Sequence, residues 1–299
     1  VVQRGDEISY HSDYVEPNVP EGLEIIHSTN DVVITGKPAG VPVTKSGRIF
    51  KNTFSNRVRD RLGWPEATPL HRLDADTSGL ILFARKPELA APLQQDLQAI
   101  LKRKLYLAIV AGGPRALPDL ENPRNIELPE FCTARVLNGL LQISCKAPLR
   151  EAPGSEIRHQ MYVLGDGKPS HSDFIFLDTQ GGRSLVLCEI HSGRKHQIRA
   201  HLAYLGYPII GDLIYSEGGH YYLKRISEGD LSAQDYQSLG AQTHLLHSYK
   251  ALVALPETNA CWYESHFFSP DFKSALAHFP NWKCSIDQIR DSIELRPIR

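Results

Sequence analysis

Apolar residues along this chain follow two rhythms. In the first they run together or alternate over a few positions, which marks a strand. Residues 24–27, 32–34, 80–84, 105–110, 141–144, 173–177, 185–190 and 251–255 read this way. In the second they return every three or four positions, which marks a helix with one buried face. Phe54, Val58 and Leu62 place a helix within 51–62, with Arg57, Arg59 and Arg61 on its wet sides and Gly63 and Pro65 ending it. Leu89, Leu93, Leu97, Ile100 and Leu101 trace one helical stripe over 87–101. Ile198, Leu202 and Leu205 trace another over 195–205, with Gly206 as its stop. Lys37, Pro38, Ala39 and Gly40 make a turn. Residues 112–130 are rich in Gly, Pro and Asn and read as a loop or insertion, and the polar stretch 216–242 reads as an insertion with one short helix. Strands outnumber helices and do not alternate with them one for one. The pattern predicts an α+β fold, a mixed, largely antiparallel sheet with flanking helices, and argues against a doubly wound parallel sheet.

Composition narrows the class. Of the 299 residues, 41% are apolar and 22% charged, a soluble globular balance. No stretch approaches membrane-spanning length, and the polar first ten residues lack a signal-peptide layout, so a cytoplasmic protein is expected. The five cysteines (Cys132, Cys145, Cys188, Cys261 and Cys284) are odd in number, widely spaced and without a CxxC pair. Neither a disulfide framework nor a cysteine zinc site is expected, and a reducing compartment fits. Net charge is -1, but residues 45–105 hold 12 Lys/Arg against 6 Asp/Glu, whereas residues 1–44 hold 2 against 7. A local basic block, including Lys45, Arg48, Lys51, Arg57, Arg59, Arg61 and the run Lys102, Arg103, Lys104, is what a phosphate backbone needs, although a solvated helix face reads the same way.

Two segments carry candidate chemistry. From His71 to Arg85, a polar loop with His71, Arg72, Asp74, Asp76, Thr77 and Ser78 feeds directly into an apolar strand, a rigid base for short polar side chains. Asp74 and Asp76 form a candidate carboxylate pair. Turn chemistry explains Asp and Ser before a strand equally well. From His191 to Leu202, a strand ends, Gly193 turns, and a helix opens behind Arg194, Lys195 and His196. This is an anion-binding arrangement. Arg199, between Ile198 and Leu202, is placed to turn inward toward a carboxylate partner. His191, His196, His201, His244 and His247 cluster in sequence without any metal-ligand spacing, so no metal is expected. No glycine-rich nucleotide fingerprint is present, so no nucleotide cofactor is expected.

These segments resemble the RluA-type pseudouridine synthases. His71 to Arg85 is similar to that family's HRLDxxTSGLLLxAK pattern, and Lys37 to Gly40 to its KPAG turn. Lys104 to Val110 is similar to its KxYLAxV strand, Gly193 to Leu202 with Gly206 to Asp212 to its GRTHQIRVHLxxxGxPIxGD element, and Leu246-His247-Ser248 stands at its LHA. Ser192, Lys195 and Ser248 depart from the usual residues, and residues 168–172 are a loose version of KxAxT. Motif order holds from about residue 24 to 272. The resemblance implies an RNA uridine isomerase that uses no cofactor. Asp74 would be its catalytic carboxylate, attacking ribose or base or acting as a base. Arg199 would pair with Asp74, and Tyr106 would lie against the uracil. Arg72, Arg194, Lys195 and His196 would contact RNA, with Arg72 near the stack that the flipped uridine leaves. The implied partner is a structured ribosomal or transfer RNA, with no membrane, and a monomer is the default. Residues 1–22 are expected to be an extension or linker, and 23–299 the catalytic domain.

Overall fold

A computed structural model of the chain describes residues 14–114, 127–256 and 258–294. Thirteen strands are present among them: β1 (Glu24–Ser28), β2 (Val32–Lys37), β3 (Thr68–Pro69), β4 (Ser78–Ala84), β5 (Leu101–Ala111), β6 (Cys132–Leu137), β7 (Leu140–Cys145), β8 (Leu149–Glu151), β9 (Met161–Val163), β10 (Ser172–Gln180), β11 (Arg183–Ile190), β12 (Leu246–Val253) and β13 (Cys261–Glu264). Eleven form one sheet, whose main path runs β1-β2-β4-β12-β5-β11-β10-β7-β6, with β3 on β4 and β13 on β12; β8 and β9 pair separately. Every pairing is antiparallel except β4 with β12, where His247 lies opposite Ser78 and Ser248 opposite Gly79. The expected mixed, largely antiparallel sheet is therefore observed.

That parallel seam joins two halves of the core. One half is built on β5, β7, β10 and β11, with Leu107, Ile109, Ile143, Phe174 and Val186 fully buried. The other is built on β2 and β4, with Val33, Ile34, Ile81, Leu82 and Phe83 fully buried. Because every second side chain of a strand shares a face, the register assigns the faces. Tyr106 lies in a row with Cys188 and Phe174, and Leu105 in a row with Glu189 and Asp173. The helix Gln197–Tyr204 sits over the Tyr106 face, where Gln197 and His201 both reach Ser172. The helix Trp282–Glu294 sits over the other, where Arg103 donates to the Ile293 carbonyl.

The first helix, Phe54–Leu62, lies within the expected 51–62, its start set by the Thr53 hydroxyl, which accepts from Asn56 N–H. Several other elements differ from expectation. The single helix expected over 87–101 is two, Pro87–Gln95 and Leu97–Ile100, since Pro92 leaves a gap in the ladder and Asp96 caps the second piece. The third helix runs Gln197–Tyr204, and Lys195 lies outside it. The stretch 216–242 carries two helices, His220–Glu228 and Ala233–Leu239, the second opened by a Ser232–Asp235 capping box. Most of the expected 112–130 loop, and most of the expected 1–22 extension, fall outside the described residues. Among the described residues, no helix is long and apolar enough to cross a membrane.

Candidate active site

The loop that carries Asp74 is fixed from both ends. Thr77 N–H donates to the Asp74 carbonyl (3.1 Å), closing a turn over residues 74–77. Immediately after it, Gly79 (φ 100°) lies against β12 so closely that a Cβ would stand 2.2 Å from the Ser248 carbonyl oxygen. Only glycine tolerates both that conformation and that approach. Thr77 Oγ1 bonds His244 Nε2 and Ser78 Oγ bonds His247 Nδ1, each at 2.8 Å. The polar residues before β4 thus face the start of β12 across the parallel seam, rather than capping their own backbone.

Lys37, at the end of β2, is fully buried, and its Nζ donates to the carbonyls of Pro38 (2.8 Å), Val41 (2.7 Å) and Ala75 (2.8 Å). Burial pushes its pKa down to about 7, while the charges of Asp76 and Asp74 pull it up. Three acceptors match the three N–H bonds of an ammonium, the form with a donor for each. Lys37 therefore ties the KPAG turn to the loop one residue past Asp74.

Asp74 rests on Arg199. The Arg199 Nη1 donates to Asp74 Oδ2 at 2.8 Å, while Nε and Nη2 grip the two oxygens of Asp212 at 2.6 and 2.8 Å. Asp212 is fully buried and also accepts the backbone N–H groups of Ile214 and Tyr215. One guanidinium thus bridges a buried carboxylate and one whose side chain keeps 31% of its surface accessible. The Tyr215 ring underlies the guanidinium, 5.1 Å from its carbon. Burial drives Asp74 upward, but the Arg199 charge and the Arg199 hydrogen bond hold it below its usual value. Asp212 is held at about 2, against burial, chiefly by Arg199. Asp74 is consequently a carboxylate anion at neutral pH, held on one side and open on the other. The Asp76 charge, like that of Asp74, acts on Lys37 and on His244.

His196 takes the left-handed conformation (φ 53°) at the N-terminus of the Arg199 helix, with its Nε2 3.9 Å from Asp74 Oδ2. Burial and the Arg199 charge lower its pKa to about 4, so it is a neutral imidazole at neutral pH. Tyr106 is 7% exposed, hydrogen-bonds Ser248 and senses the Asp74 charge; burial raises its phenol to about 12. Of the other expected residues, Arg72 is exposed, Arg194 Nε donates to the Pro169 carbonyl, and Lys195 pairs with Glu151 at 2.6 Å. Arg103 is a correction to the phosphate-binding run, because it points into the other face and is clamped by Glu189 at 2.6 and 2.8 Å. The histidine cluster also separates: His201, His244 and His247 are buried hydrogen-bonding residues of the core. Sequence reasoning missed Asp212, Tyr215 and the part played by Lys37, although Asp212 closes the quoted Gly206–Asp212 stretch.

Comparison with known proteins shows the family and the fold. The family model for RNA pseudouridylate synthase matches residues 31–204. A Synechocystis protein described as an uncharacterized RNA pseudouridine synthase is 29% identical over 259 residues, covering 85% of this chain and 81% of that one. RNA pseudouridine synthase 7 of Oryza sativa subsp. japonica is 35% identical over 72% of this chain, and the mitochondrial tRNA pseudouridine(32) synthase of Saccharomyces cerevisiae is 31% identical over 72%. The chain spans only 50% and 42% of those two relatives. Among solved structures, human RNA pseudouridylate synthase domain containing 1 superposes with a TM-score of 0.58 at 21% identity, over 84% of this chain and 86% of that one.

Proposed function

Because the chain belongs to the RNA pseudouridylate synthase family, we propose that it isomerises specific uridines of structured ribosomal or transfer RNA, with Asp74 as the catalytic carboxylate. The observation that carries this reading is the Arg199 bridge, which keeps Asp74 ionised yet accessible. The reaction breaks the bond between ribose C1′ and uracil N1 and forms one from C1′ to C5. The C5 proton leaves, N1 gains a proton, and no electrons are exchanged, so no redox cofactor is required. A carboxylate anion serves this chemistry by attacking ribose C1′ or the base, or by taking the sugar C2′ proton. In each case Arg199 keeps it unprotonated and aimed.

Tyr106 supplies an aromatic face for the uracil. As its phenol stays protonated at neutral pH, it accepts the C5 proton only while passing its own onward; its hydrogen bond to Ser248 supports a relay in which the Ser248 hydroxyl takes that proton as it releases its own to solvent. Arg72 and Arg194 are exposed for RNA contact. Lys195 reaches phosphate once it exchanges Glu151 for it, a cheap exchange at an exposed ion pair. His196, next to Asp74, contacts the flipped nucleotide. The yeast relative named for transfer RNA makes that the first substrate to offer. RNA transcribed with tritium at uracil C5 tests the reading. Tritium should reach the solvent with the native protein and not with Asp74→Asn. Failure of the native protein to release it from either transfer or ribosomal RNA would overturn the proposal.

A further inference from the structure

A second group of chemically competent side chains lies away from Asp74. His171 precedes β10, Asp173 lies within it, and His191 follows β11. The β10–β11 register sets Ser172 opposite Ile190 and Asp173 opposite Glu189, so His171 and His191 meet at the next step of the ladder. Their rings stack, with centroids 4.2 Å apart and planes 24° from parallel. Stacking turns both Nε2 atoms to one carboxylate: His191 Nε2 is 3.0 Å from Asp173 Oδ2, and His171 Nε2 is 3.4 Å from Oδ1. All three ligand atoms lie within 4.8 Å of one another.

We infer that His171, Asp173 and His191 form a site for a divalent first-row transition ion such as Zn²⁺. A tetrahedral ion with bonds of about 2.0–2.1 Å holds its ligand atoms about 3.3 Å apart, close to the two spacings already present. Two imidazoles and one carboxylate suit zinc and its neighbours, whereas calcium and magnesium prefer all-oxygen shells. Asp173 is 7% exposed, while His171 and His191 keep enough accessible surface to admit an ion. Ser144 Oγ lies 3.0 Å from His171 Nε2 and also hydrogen-bonds Asp173, polar contacts that ligation would rearrange.

The surroundings say what the fourth ligand would be. The group opens onto a pocket of about 950 Å³ whose lining includes Lys102, Lys104, Arg135 and Lys146. A cation set among lysines is favoured when an anion or hydroxide completes its shell, and these side chains would hold one. Asp173 shares its sheet face with Glu189, opposite to Tyr106, so the site is separate from the catalytic cleft. The two are nevertheless linked, because His191 opens the loop that reaches His196 beside Asp74. An ion there would pin the base of that loop. The spacing of His171 and His191, on neighbouring strands, is one that no linear ligand motif describes.

The test uses the full chain, stripped with EDTA and titrated with Zn²⁺ by calorimetry and with Co²⁺ by visible absorption. One equivalent should bind with micromolar or tighter affinity and raise the melting temperature, since an ion that binds only the native state stabilises it. His171→Ala/His191→Ala should weaken binding by about 100-fold or more and remove the thermal shift, in keeping with the loss of two of three ligands. The single change His191→Gln, at an exposed position, serves if the double variant does not fold, and it should weaken binding in the same direction. No saturable binding by the native chain, or binding that these variants leave unchanged, would overturn the assignment.

Discussion

In the proposed reaction Asp74 has to stay charged beneath a substrate base that strips away water, and desolvation alone would protonate it. Arg199 prevents this, but its own charge needs a partner when Asp74 is engaged elsewhere. Asp212, fully buried, is that partner. Asp74→Asn keeps the shape of the loop and removes the charge, so turnover should fall about 10³-fold or more with RNA binding retained, read by tritium release and filter binding. Arg199→Lys cannot form the two-oxygen grip on Asp212 and reach Asp74 together. It should cost about 3–5 kcal/mol in denaturant unfolding and also lower turnover. The same cluster sets acid behaviour. Asp212 is depressed from its ordinary 3.8 to about 2. Its contribution, about 2 kcal/mol, is therefore complete above pH 4 and lost as pH falls toward 2, which unfolding measured across pH 2–5 would show. At this scale Asp74 and Arg199 were legible because they lie in long motifs. Asp212 and Tyr215 were not, because a residue whose part is set by its neighbours in space leaves no periodic trace.

Elements position these groups through two backbone devices. One is the close approach of Gly79 to Ser248 at the parallel seam of β4 and β12. Gly79→Ala should destabilise by about 2 kcal/mol or more, since it meets both a left-handed backbone and a steric clash. The other is Lys37, whose ammonium collects three carbonyls from the turn and the loop. Lys37→Met preserves length and removes the donors. A loss of about 2–3 kcal/mol is expected, with turnover reduced beyond what the folded fraction explains. Strand positions were readable because buried strands such as β2 and β4 contain continuous apolar runs, residues 32–34 and 80–84. Helix limits were less so, since Thr53, Asp96 and Ser232 set them by capping, and a single side-chain oxygen outweighs apolar spacing there. The seam itself was invisible, because nothing local tells β4 that its neighbour on one side is parallel.

Over the whole molecule the chain is nearly neutral, yet its basic residues concentrate in 45–105. RNA affinity should therefore depend steeply on salt in spite of the net charge, with a log–log slope that Arg72→Ala or Arg194→Ala each lowers by about one, read by filter binding between low and physiological salt. Arg103→Ala should leave that slope unchanged and lower stability instead, because its charge is spent on Glu189 inside the protein. Charge counting along the sequence could not separate these arginines; the exposure of Arg72 and Arg194, and the inward pairing of Arg103 on β5 with Glu189, do so. All three scales meet in the proposed reaction, in which Asp74 on this scaffold rebuilds the glycosidic link of a uridine in RNA. The most direct measurement is to incubate the protein with transfer and ribosomal RNA transcripts and map pseudouridine by carbodiimide labelling and reverse transcription, in parallel with Asp74→Asn. A new stop at a defined uridine, absent with the variant, is the predicted result; the same stop made by Asp74→Asn, or none from the native protein on any of these RNAs, would contradict it.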